Sequence, residues 1–341
     1  MRPAASGNPL GIASFWVRGI ADALAAEQLD VVALFREAGL NANALSDPDA
    51  RFPSDGVNRL WNLAVVRSGN PAVGLASARV VKPASFDVVA YTMMSAPNLL
   101  NLLDRLERYL GIVSDAASAT VKKARSGYRL VLVLLPQHSP APWQRVAFDL
   151  LEFLSFCRWV TGREIHPLAL ELSYPPTRDM QPYLEAFGCE PRFLSRENAL
   201  LFSLEDTMRP LPTAHRLLSI IHERVADDHL NRLSDKRISL RVRAAIMRHL
   251  PDGELSRGDI ANVLMMSKRT MHRRLAAENT SFQRLLDETR CELAEGYLTR
   301  RDLSLADIAY LLGFKNQSSF NRSAKRWFGE TPGAYRRRST T

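Results

Sequence analysis

Apolar residues recur at helical spacing through the first third of the chain. In Asn98–Leu110, leucines follow the i, i+3, i+4, i+7 spacing of one buried helix face. Weaker forms of the same pattern predict helices at Ala21–Ala38 and Val57–Ser68. The residues before about 20 contain prolines and glycines at short intervals and are predicted to form a loose leader.

Strand patterns enter after residue 118. Ala119–Lys123 and Tyr128–Leu135 flank a Ser-Gly turn and predict two strands. The elements predicted next are a helix at Trp143–Thr161 ended by Gly162, a strand at Leu168–Tyr174, a helix at Asp179–Phe187 closed by Gly188, and a strand pair near Pro191–Leu194 and Ala199–Ser203. Helices followed by a small sheet predict an α+β domain, which we place at residues 22–210.

A proline-containing segment, Arg209-Pro-Leu-Pro212, marks the end of this domain. His215–Leu230 then has the apolar spacing of a connecting helix, and Asn231–Arg237 is polar enough to be a linker. Residues 211–237 are therefore predicted to join the first domain to a second.

The following residues, 238–338, are helical at short spacing and contain a local repeat. Asp259-Ile-Ala261 recurs as Asp307-Ile-Ala309, a shift of 48 positions. Each copy has a short helix, a turn and a second helix, and a long helix joins the copies, which predicts an all-α domain of two helix-turn-helix units. These helices are Gly258–Leu264 and Ser267–Glu278 in the first copy, the connector Ser281–Thr299, and Leu305–Leu312 and Gln317–Phe328 in the second copy.

Charge divides the chain at the same place. Lys236–Thr341 holds 21 Lys and Arg against 11 Asp and Glu, a net of +10, and the first 235 residues carry the remaining −1 of a formal charge of +9. A basic surplus confined to one domain is typical of a module that binds a polyanion. At 341 residues, the chain is long enough for two domains that each bury a core.

The second helix of each copy separates apolar from polar faces. Met271 and Leu275 in one, and Phe320, Ala324 and Trp327 in the other, are predicted to face inward. A helix fits the major groove of DNA, where Arg can bind guanine and Asn or Gln can bind adenine. The side chains predicted to contact DNA are Lys268, Arg269, Thr270, His272, Arg273, Gln317, Ser318, Ser319, Asn321, Arg322, Lys325 and Arg326.

Two kinds of contact are expected from these side chains. Residues near the start of each second helix should reach base edges, whereas Lys325, Arg326 and Arg336–Arg338 are better placed for phosphates. The stiff connector helix should let the two second helices enter successive major grooves, about 34 Å apart.

A long motif in the second copy resembles a known signature. It consists of Ile308-Ala-x-x-Leu-Gly-Phe314, Ser319-Phe320-x-Arg322 and Gly329-x-x-Pro332-x-x-Tyr335-Arg336. It resembles the signature of AraC/XylS-type transcription regulators, over about residues 238–338. The resemblance implies base-facing positions at Arg269, His272, Arg273, Gln317, Ser318, Ser319 and Arg322.

Two positions depart from that pattern. Met265 stands where the family usually has glycine, and Ala324 stands where a bulky aromatic residue is common. We expect the first departure to strain the turn of the first copy and the second to loosen the packing of Gln317–Phe328.

The first domain resembles the effector-binding half of an AraC subfamily whose N-terminal domain is labelled arabinose-binding-like. The resemblance rests on Arg51-Phe-Pro-x-Asp55, Pro191-x-Phe-x-x-x-x-Asn198-x-Leu-x-Phe202 and Pro210-Leu-Pro212. It implies a domain that binds a small-molecule effector and makes a homodimer. The label does not make arabinose the ligand.

Several residues of this domain have two interpretations. Aromatic residues that could line an effector pocket, or else pack in the core, are Trp61, Phe86, Tyr91 and Trp143. Arg79 and Lys82 could hold a carboxylate effector or belong to a solvated face. Asp149 and Glu152, one helical turn apart, are interpreted as the solvated side of an amphipathic helix.

Other classes of protein find little support. The three cysteines are scattered, the His and Cys spacings do not match a metal site, and no cofactor is expected. Catalytic motifs such as GxSxG, a Walker A loop, GxGxxG or HExxH are missing from the sequence, so we do not expect an enzyme. Without an apolar run of about 18 residues or a secretory signal, we expect a cytoplasmic protein that does not associate with a membrane.

The sequence thus favours a transcription regulator that binds double-stranded DNA under the control of a small molecule. By the family resemblance it would act as an activator that contacts RNA polymerase, although repression stays open. The alternatives are an enzyme fused to a DNA-binding domain and an architectural DNA-binding protein without an effector, which would have little sequence preference.

Overall fold

The computed structural model describes residues 11–76, 86–135, 141–177, 179–236, 238–278, 280–298 and 303–338, and only the backbone at 234–236, 240 and 252. The chain divides into two compact units that meet in the sequence between Asn231 and Arg232. The first unit is α+β and the described part of the second is helical, which confirms the predicted fold class. The narrower limits 22–210, 211–237 and 238–338 stay predictions.

The first unit begins with regular structure at Gly11. Strand β1 (Gly11–Ala13) leads into helix α1 (Ser14–Ala26), so the prediction of a loose leader is wrong for residues 11–20; residues 1–10 lie outside the described residues. Trp16, Val17 and Ile20 are buried. Their apolar spacing outweighs the glycine and proline signals just before them.

Two helices replace the single one predicted at Ala21–Ala38. Gln28 has a φ of 62°, a left-handed conformation that does not continue a helix. Helix α2 (Val31–Glu37) then starts anew, capped by Asp30, whose carboxylate accepts a hydrogen bond from the amide of Ala33 at 3.0 Å.

The predicted helices around 57–68 and 98–110 are confirmed with slightly longer bounds. The elements that complete the first half of this unit are β2 (Arg51–Pro53), α3 (Ser54–Ser68), α4 (Asp87–Met94) and α5 (Leu99–Val113). β2 pairs antiparallel with β1. The leucines of α5 that share one face are buried, as their spacing predicts.

A five-stranded sheet forms the second half. Its elements are β3 (Ala117–Ala124), β4 (Gly127–Leu134), α6 (Trp143–Thr161), β5 (Ala169–Glu171), α7 (Gln181–Phe187), β6 (Pro191–Arg192), β7 (Asn198–Ser203) and α8 (Leu204–Met208). The strand order is β3-β4-β7-β5-β6, with β5 and β6 parallel and the other pairs antiparallel. The predicted pairing of the last two strands is wrong, because β7 lies between β4 and β5 and has no free edge for β6.

Helix α6 crosses the interior of this unit. All of its residues except Trp143, Arg158 and Trp159 are buried. The interpretation of Asp149 and Glu152 as a solvated side is therefore wrong, since neighbouring elements cover every face of the helix. This burial places two carboxyl groups and Arg145 inside the protein.

The predicted connecting helix extends further than its apolar pattern. Helix α9 runs over Arg216–Lys236, so the backbone of the predicted linker is helical from Asn231 to Lys236. This segment contains neither glycine nor proline, and polar residues can occupy exposed helix positions without ending the helix. Arg237 lies outside the described residues.

The second unit contains the two predicted helix-turn-helix copies. Its helices are α10 (Ile238–His249), α11 (Arg257–Val263), α12 (Lys268–Ala277), α13 (Phe282–Leu298), α14 (Leu305–Leu311), α15 (Gln317–Phe328) and α16 (Pro332–Arg338). One hydrophobic cluster lies under α11 and α12, and another lies under α14 and α15. The long helix α13 contributes residues to both. In the described ranges, no helix combines the length and apolar composition needed to cross a bilayer.

Candidate nucleic-acid interface

Matching caps start the two helix-turn-helix units. In the first, Ser256 and Asp259 form a reciprocal capping box, with hydrogen bonds of 2.8 and 3.2 Å between amides and side chains. Ser304 and Asp307 repeat it in the second, with both bonds at 3.0 Å. The bonds from Ser256 lower the pKa of Asp259. Both first helices therefore begin in the same way.

The turns differ in residue type but share a backbone conformation. Met265 has a φ of 52° and Gly313 a φ of 64°. The strain expected at Met265 is confirmed, because a left-handed conformation is unfavourable for a residue with a Cβ. The Met265 side chain is 95% exposed, so packing does not offset this cost.

The second turn is one residue longer than the first. The first helices are related by a shift of 48 positions, from Ser256 to Ser304, whereas the caps of the second helices, Ser267 and Asn316, are related by 49. Lys315 lies in the longer turn, and its ammonium is 2.9 Å from the Glu254 carboxylate, which raises the pKa of Lys315.

Helix α12 buries one stripe and exposes the rest. Met271 and Leu275 are buried, as predicted. Lys268, Arg269, His272 and Arg273 are exposed. Thr270 is half-buried beside the N-cap, where its hydroxyl is 2.9 Å from that of Ser267 and its amide donates to Ser267 Oγ at 3.0 Å.

Helix α15 has the same organisation. Phe320 and Ala324 are buried, and Trp327 is half-buried on the same side. The predicted DNA contacts Gln317, Ser318, Arg322, Lys325 and Arg326 are exposed, while Ser319 and Asn321 are half-buried. Ala324 is fully buried in the same cluster as Phe320, with Phe314 packed against it. The looser packing expected around Ala324 stays a prediction.

Some of the predicted DNA contacts also have structural partners. Arg326 forms an ion pair with Asp287 on α13. Arg336 donates to the carbonyl of Leu298 at 3.2 Å, and Arg338 lies 2.9 Å from Glu330. These bonds hold α15 and α16 to the rest of the unit, so the arginines have a role in the fold as well as a positive charge.

A half-buried and a buried arginine tie other elements of this unit to α13. Arg290 donates to the carbonyls of Leu312 and Gly313 at 2.9 and 2.7 Å and lies 4.4 Å from the ring centre of Phe314. Arg243 on α10 pairs with Glu292 on α13. Sequence reasoning did not single out these residues, because an arginine in a basic domain gives no signal of burial.

The effector candidates of the first unit are scattered. Trp61 and Phe86 are buried in the core, whereas Tyr91 is exposed and Trp143 is half-buried. Arg79 and Lys82 lie outside the described residues. Over the described ranges, no group of three His, Cys, Asp or Glu is placed to share a metal ion.

Comparisons with known proteins match both units. A family model described as the N-terminal arabinose-binding domain of AraC transcription regulators matches residues 29–211, and a helix-turn-helix domain model matches residues 260–338.

Relatives match most of the chain. The HTH-type transcriptional regulator VirS of Mycobacterium tuberculosis is 31% identical over 293 residues, which cover 84% of this chain and 85% of VirS. The ornithine utilization regulator of Pseudomonas aeruginosa is 27% identical over 311 residues, which cover 89% of this chain and 90% of that protein. Among solved structures, the transcriptional regulator CdpR of P. aeruginosa matches with 18% identity and a TM-score of 0.45, over 95% of this chain and 98% of that one.

Proposed function

The chain belongs to the AraC family of transcription regulators, with an arabinose-binding-like effector domain and a helix-turn-helix DNA-binding domain, and we propose that it reads an asymmetric promoter site through α12 and α15, here called the recognition helices. Each recognition helix would enter one major groove, and the site would consist of two different half-sites about one helical turn apart. The half-sites would differ because the exposed residues of the two helices differ.

The observation that carries this proposal is the common design of the two helices. Each buries one apolar stripe against its own cluster and exposes polar residues on the other faces. Arg290 holds the turn of the second copy to α13, and Arg243 holds to α13 the helix α10, whose apolar residues share the cluster of the first copy. Two recognition helices on one scaffold can recognise a longer DNA site than either helix could alone.

We assign base contacts to the exposed residues of the first two turns. In α12 these are Arg269, His272 and Arg273, with Thr270 beside the cap; in α15 they are Gln317, Ser318 and Arg322, with Ser319 and Asn321 at the edge of the buried side. Arg322 can donate hydrogen bonds to the O6 and N7 atoms of guanine, and Gln317 can form hydrogen bonds with adenine. Lys268, Lys325 and Arg326 would contact phosphates.

Selection of bound sequences from random duplex DNA tests the proposal. With full-length protein at about 150 mM salt, we expect enrichment of two unlike boxes about one helical turn apart. Salt-sensitive binding without enrichment would instead indicate an architectural DNA-binding protein. Repeating the selection with residues 236–341 would show whether the first unit has to be loaded with its effector before the second unit reads DNA.

Control by an effector would follow from the first unit. We propose that a small molecule bound there shifts the population of protein conformations towards those competent for promoter binding. Activation would then come from contact with RNA polymerase, and a site of action on the chromosome agrees with the predicted cytoplasmic location. We assign no enzymatic activity to the chain.

We further propose that α9 mediates homodimer formation. Its polar face packs against α5, where Arg105 binds Ser219 and Glu223, and Arg108 and Tyr109 bind Asp227. The apolar residues of α9 that are exposed are Leu217, Leu218, Ile220, Ile221 and Val225. A helix with its polar side inward and its apolar side outward is typical of a protein interface.

A further inference from the structure

A cavity lies inside the first unit, between α1, α5, α6 and the β3–β4 strands. Its volume is about 40 Å³, counted as the space open to the centre of a water-sized group, and it opens to solvent at its mouth. Much of its wall is apolar, formed by Trp16, Phe86, Leu106, Leu130 and Phe153 among others. Arg145 and Asp149 on α6 also line it. Charged groups in such a wall need an explanation, because burial of a charge is expensive.

Arg145 is only partly satisfied by the protein. Its residue exposure is 1%, and its Nη1 donates to Ser54 Oγ at 3.1 Å and to Asn58 Oδ1 at 2.6 Å, both on α3. Its Nε has no hydrogen-bond partner within the described part of the chain. The distance from Nε to Asp149 Oδ2 is 3.8 Å, which allows an ion pair but is too long for a hydrogen bond.

Asp149 also lacks a hydrogen-bond partner, in its case a donor. The residue is 8% exposed, and among the described residues its Oδ1 has no donor. Burial raises the pKa of Asp149 to about 6, and the charge of Arg145 opposes that rise. The ion pair of Arg145 and Asp149 therefore leaves one hydrogen-bond donor and one acceptor unpaired within the described part of the chain. Buried polar atoms of this kind are nearly always paired in native proteins.

We propose that this cavity is the effector site, and that its ligand is a small uncharged molecule with an apolar body and a hydroxyl or amide head. The proposal rests on the regulatory function proposed above. A hydroxyl oxygen can accept from Arg145 Nε while its hydrogen is donated to Asp149 Oδ1. The apolar body would contact Trp16, Phe86 and Phe153.

The charges of the pair select against ionised ligands. A carboxylate would gain Arg145 but approach the like charge of Asp149, and an ammonium group would gain Asp149 but approach Arg145. An uncharged head that both donates and accepts meets neither penalty. The pair therefore favours an alcohol, phenol or amide over the carboxylate that Arg79 and Lys82 would suit.

The test uses three probes with one aromatic body: benzyl alcohol, benzoate and benzylamine. Full-length protein with ¹⁵N-labelled indoles is titrated with each, and the resonance of Trp16, which lines the cavity, is compared with that of Trp327 in the second unit. We expect a saturable shift of the Trp16 signal with benzyl alcohol, a much weaker effect with the two ions, and no change at Trp327. Tightest binding by either ion, or no saturable shift with any probe, would overturn the proposal.

Three variants locate the binding site and test the assignment of the head group. Ala117→Leu fills the cavity from β3 and should abolish the Trp16 shift, whereas Ala124→Leu, on the same strand but outside the cavity wall, should preserve it. Asp149→Asn leaves Arg145 as the sole charge of the pair, so the preference for benzoate over benzyl alcohol should increase by about tenfold. An unchanged preference in the folded Asp149→Asn protein would contradict the assignment of the head group.

The same preparations separate this inference from the regulatory function. If the protein selects a two-box DNA site but binds no probe, the cavity proposal fails and the regulatory function stands. If benzyl alcohol binds as expected but no DNA sequence is enriched with or without it, the cavity stands as a ligand site and the regulatory function fails.

Discussion

Met265 and Gly313 occupy the same place in the two helix-turn-helix turns and share a left-handed backbone, with φ angles of 52° and 64°. Only the glycine is suited to that conformation. A Cβ at position 313 would lie 2.5 Å from the carbonyl oxygen of Gly253 and 2.8 Å from that of Leu250. The second turn therefore requires glycine, while the first tolerates methionine because its side chain extends into solvent.

Met265→Gly should stabilise the first helix-turn-helix unit by about 1 kcal/mol, because it removes the left-handed strain without loss of packing. Hydrogen exchange of the α12 amides in the full-length protein measures this change. The matched substitution Gly313→Met should destabilise the second unit by at least about 2 kcal/mol. Changes of the same sign in both turns would contradict this account.

Arg322→Ala and Arg273→Ala should each cost about 1–3 kcal/mol of binding to the selected DNA site and relax the preference at one base pair. Competition binding against a panel of single-base variants of the site measures both effects. Arg326→Ala is the control: its ion pair with Asp287 predicts a change in stability and overall affinity, without relaxed specificity. An equal loss on all sequences would exclude base reading by Arg322 or Arg273.

Lys325→Gln should weaken binding to every sequence and reduce the salt dependence of binding by about one unit of slope, as the loss of one phosphate contact predicts. Affinity is measured as a function of salt concentration for the selected site and for random DNA. Gln317→Ala should leave the slope unchanged, since it removes an uncharged base contact. A slope that Lys325→Gln does not alter would remove this lysine from the phosphate contacts.

Ile220→Glu should dissociate the proposed homodimer, because it places a charge in the exposed apolar face of α9. Sedimentation equilibrium of the full-length protein gives the mass directly. Arg36→Glu, at an exposed charged position on α2 and outside this face, is the control and should leave the association constant within about threefold. A wild-type protein that is monomeric at high concentration would refute a dimer through this face.

The buried carboxyl of Glu152 should make the first unit less stable as the pH rises. Burial, with a smaller contribution from Asp149, raises the pKa of Glu152 from 4.5 to about 8. Between these values the folded protein holds more protons than the unfolded chain, so the free energy of unfolding falls as the pH increases through that interval. Glu152→Gln should remove roughly a few kcal/mol of this dependence.

Urea unfolding at pH 5 and pH 8 tests the effect. The difference in the free energy of unfolding between pH 5 and pH 8 should be smaller in Glu152→Gln than in the wild-type protein. At pH 8 the variant should be more stable than the wild-type protein. Glu190→Gln, at an exposed position, should show the wild-type pH dependence. If Glu152→Gln also shows the wild-type pH dependence, the carboxyl of Glu152 does not titrate between pH 5 and pH 8.

The second unit was the part most accessible from sequence. Its short helices, the glycine at 313 and the apolar pairs Met271 with Leu275 and Phe320 with Ala324 are local signals, and local geometry decides their place. Even the strain at Met265 was foreseeable, because a left-handed turn position restricts the residue type. The one-residue difference between the turns was hidden, because the repeated Asp-Ile-Ala residues lie in the first helices, before the turns.

The first unit depended on contacts that sequence periodicity does not report. Asp149 and Glu152 looked like a solvated side, but the neighbours that bury them come from distant parts of the chain. The apolar residues of α9 have the spacing of a connecting helix, and that spacing does not show which side is covered; they are exposed, because Arg105 and Arg108 bind the polar side. Periodicity identifies a helix and its faces, but which face is covered depends on tertiary structure.

The longer second turn limits how the DNA specificity of this protein can be redesigned. Transplanting α15 side chains into α12 requires a shift of 49 positions, which matches Phe320 to Met271 and Arg322 to Arg273. A chimaera built with the 48-residue period of the first helices would turn the donor pattern by about 100° around the helix axis. It would bring Phe320 to the exposed position of His272 and Ser319 to the buried position of Met271. The chimaera would therefore misfold before its DNA specificity could be measured.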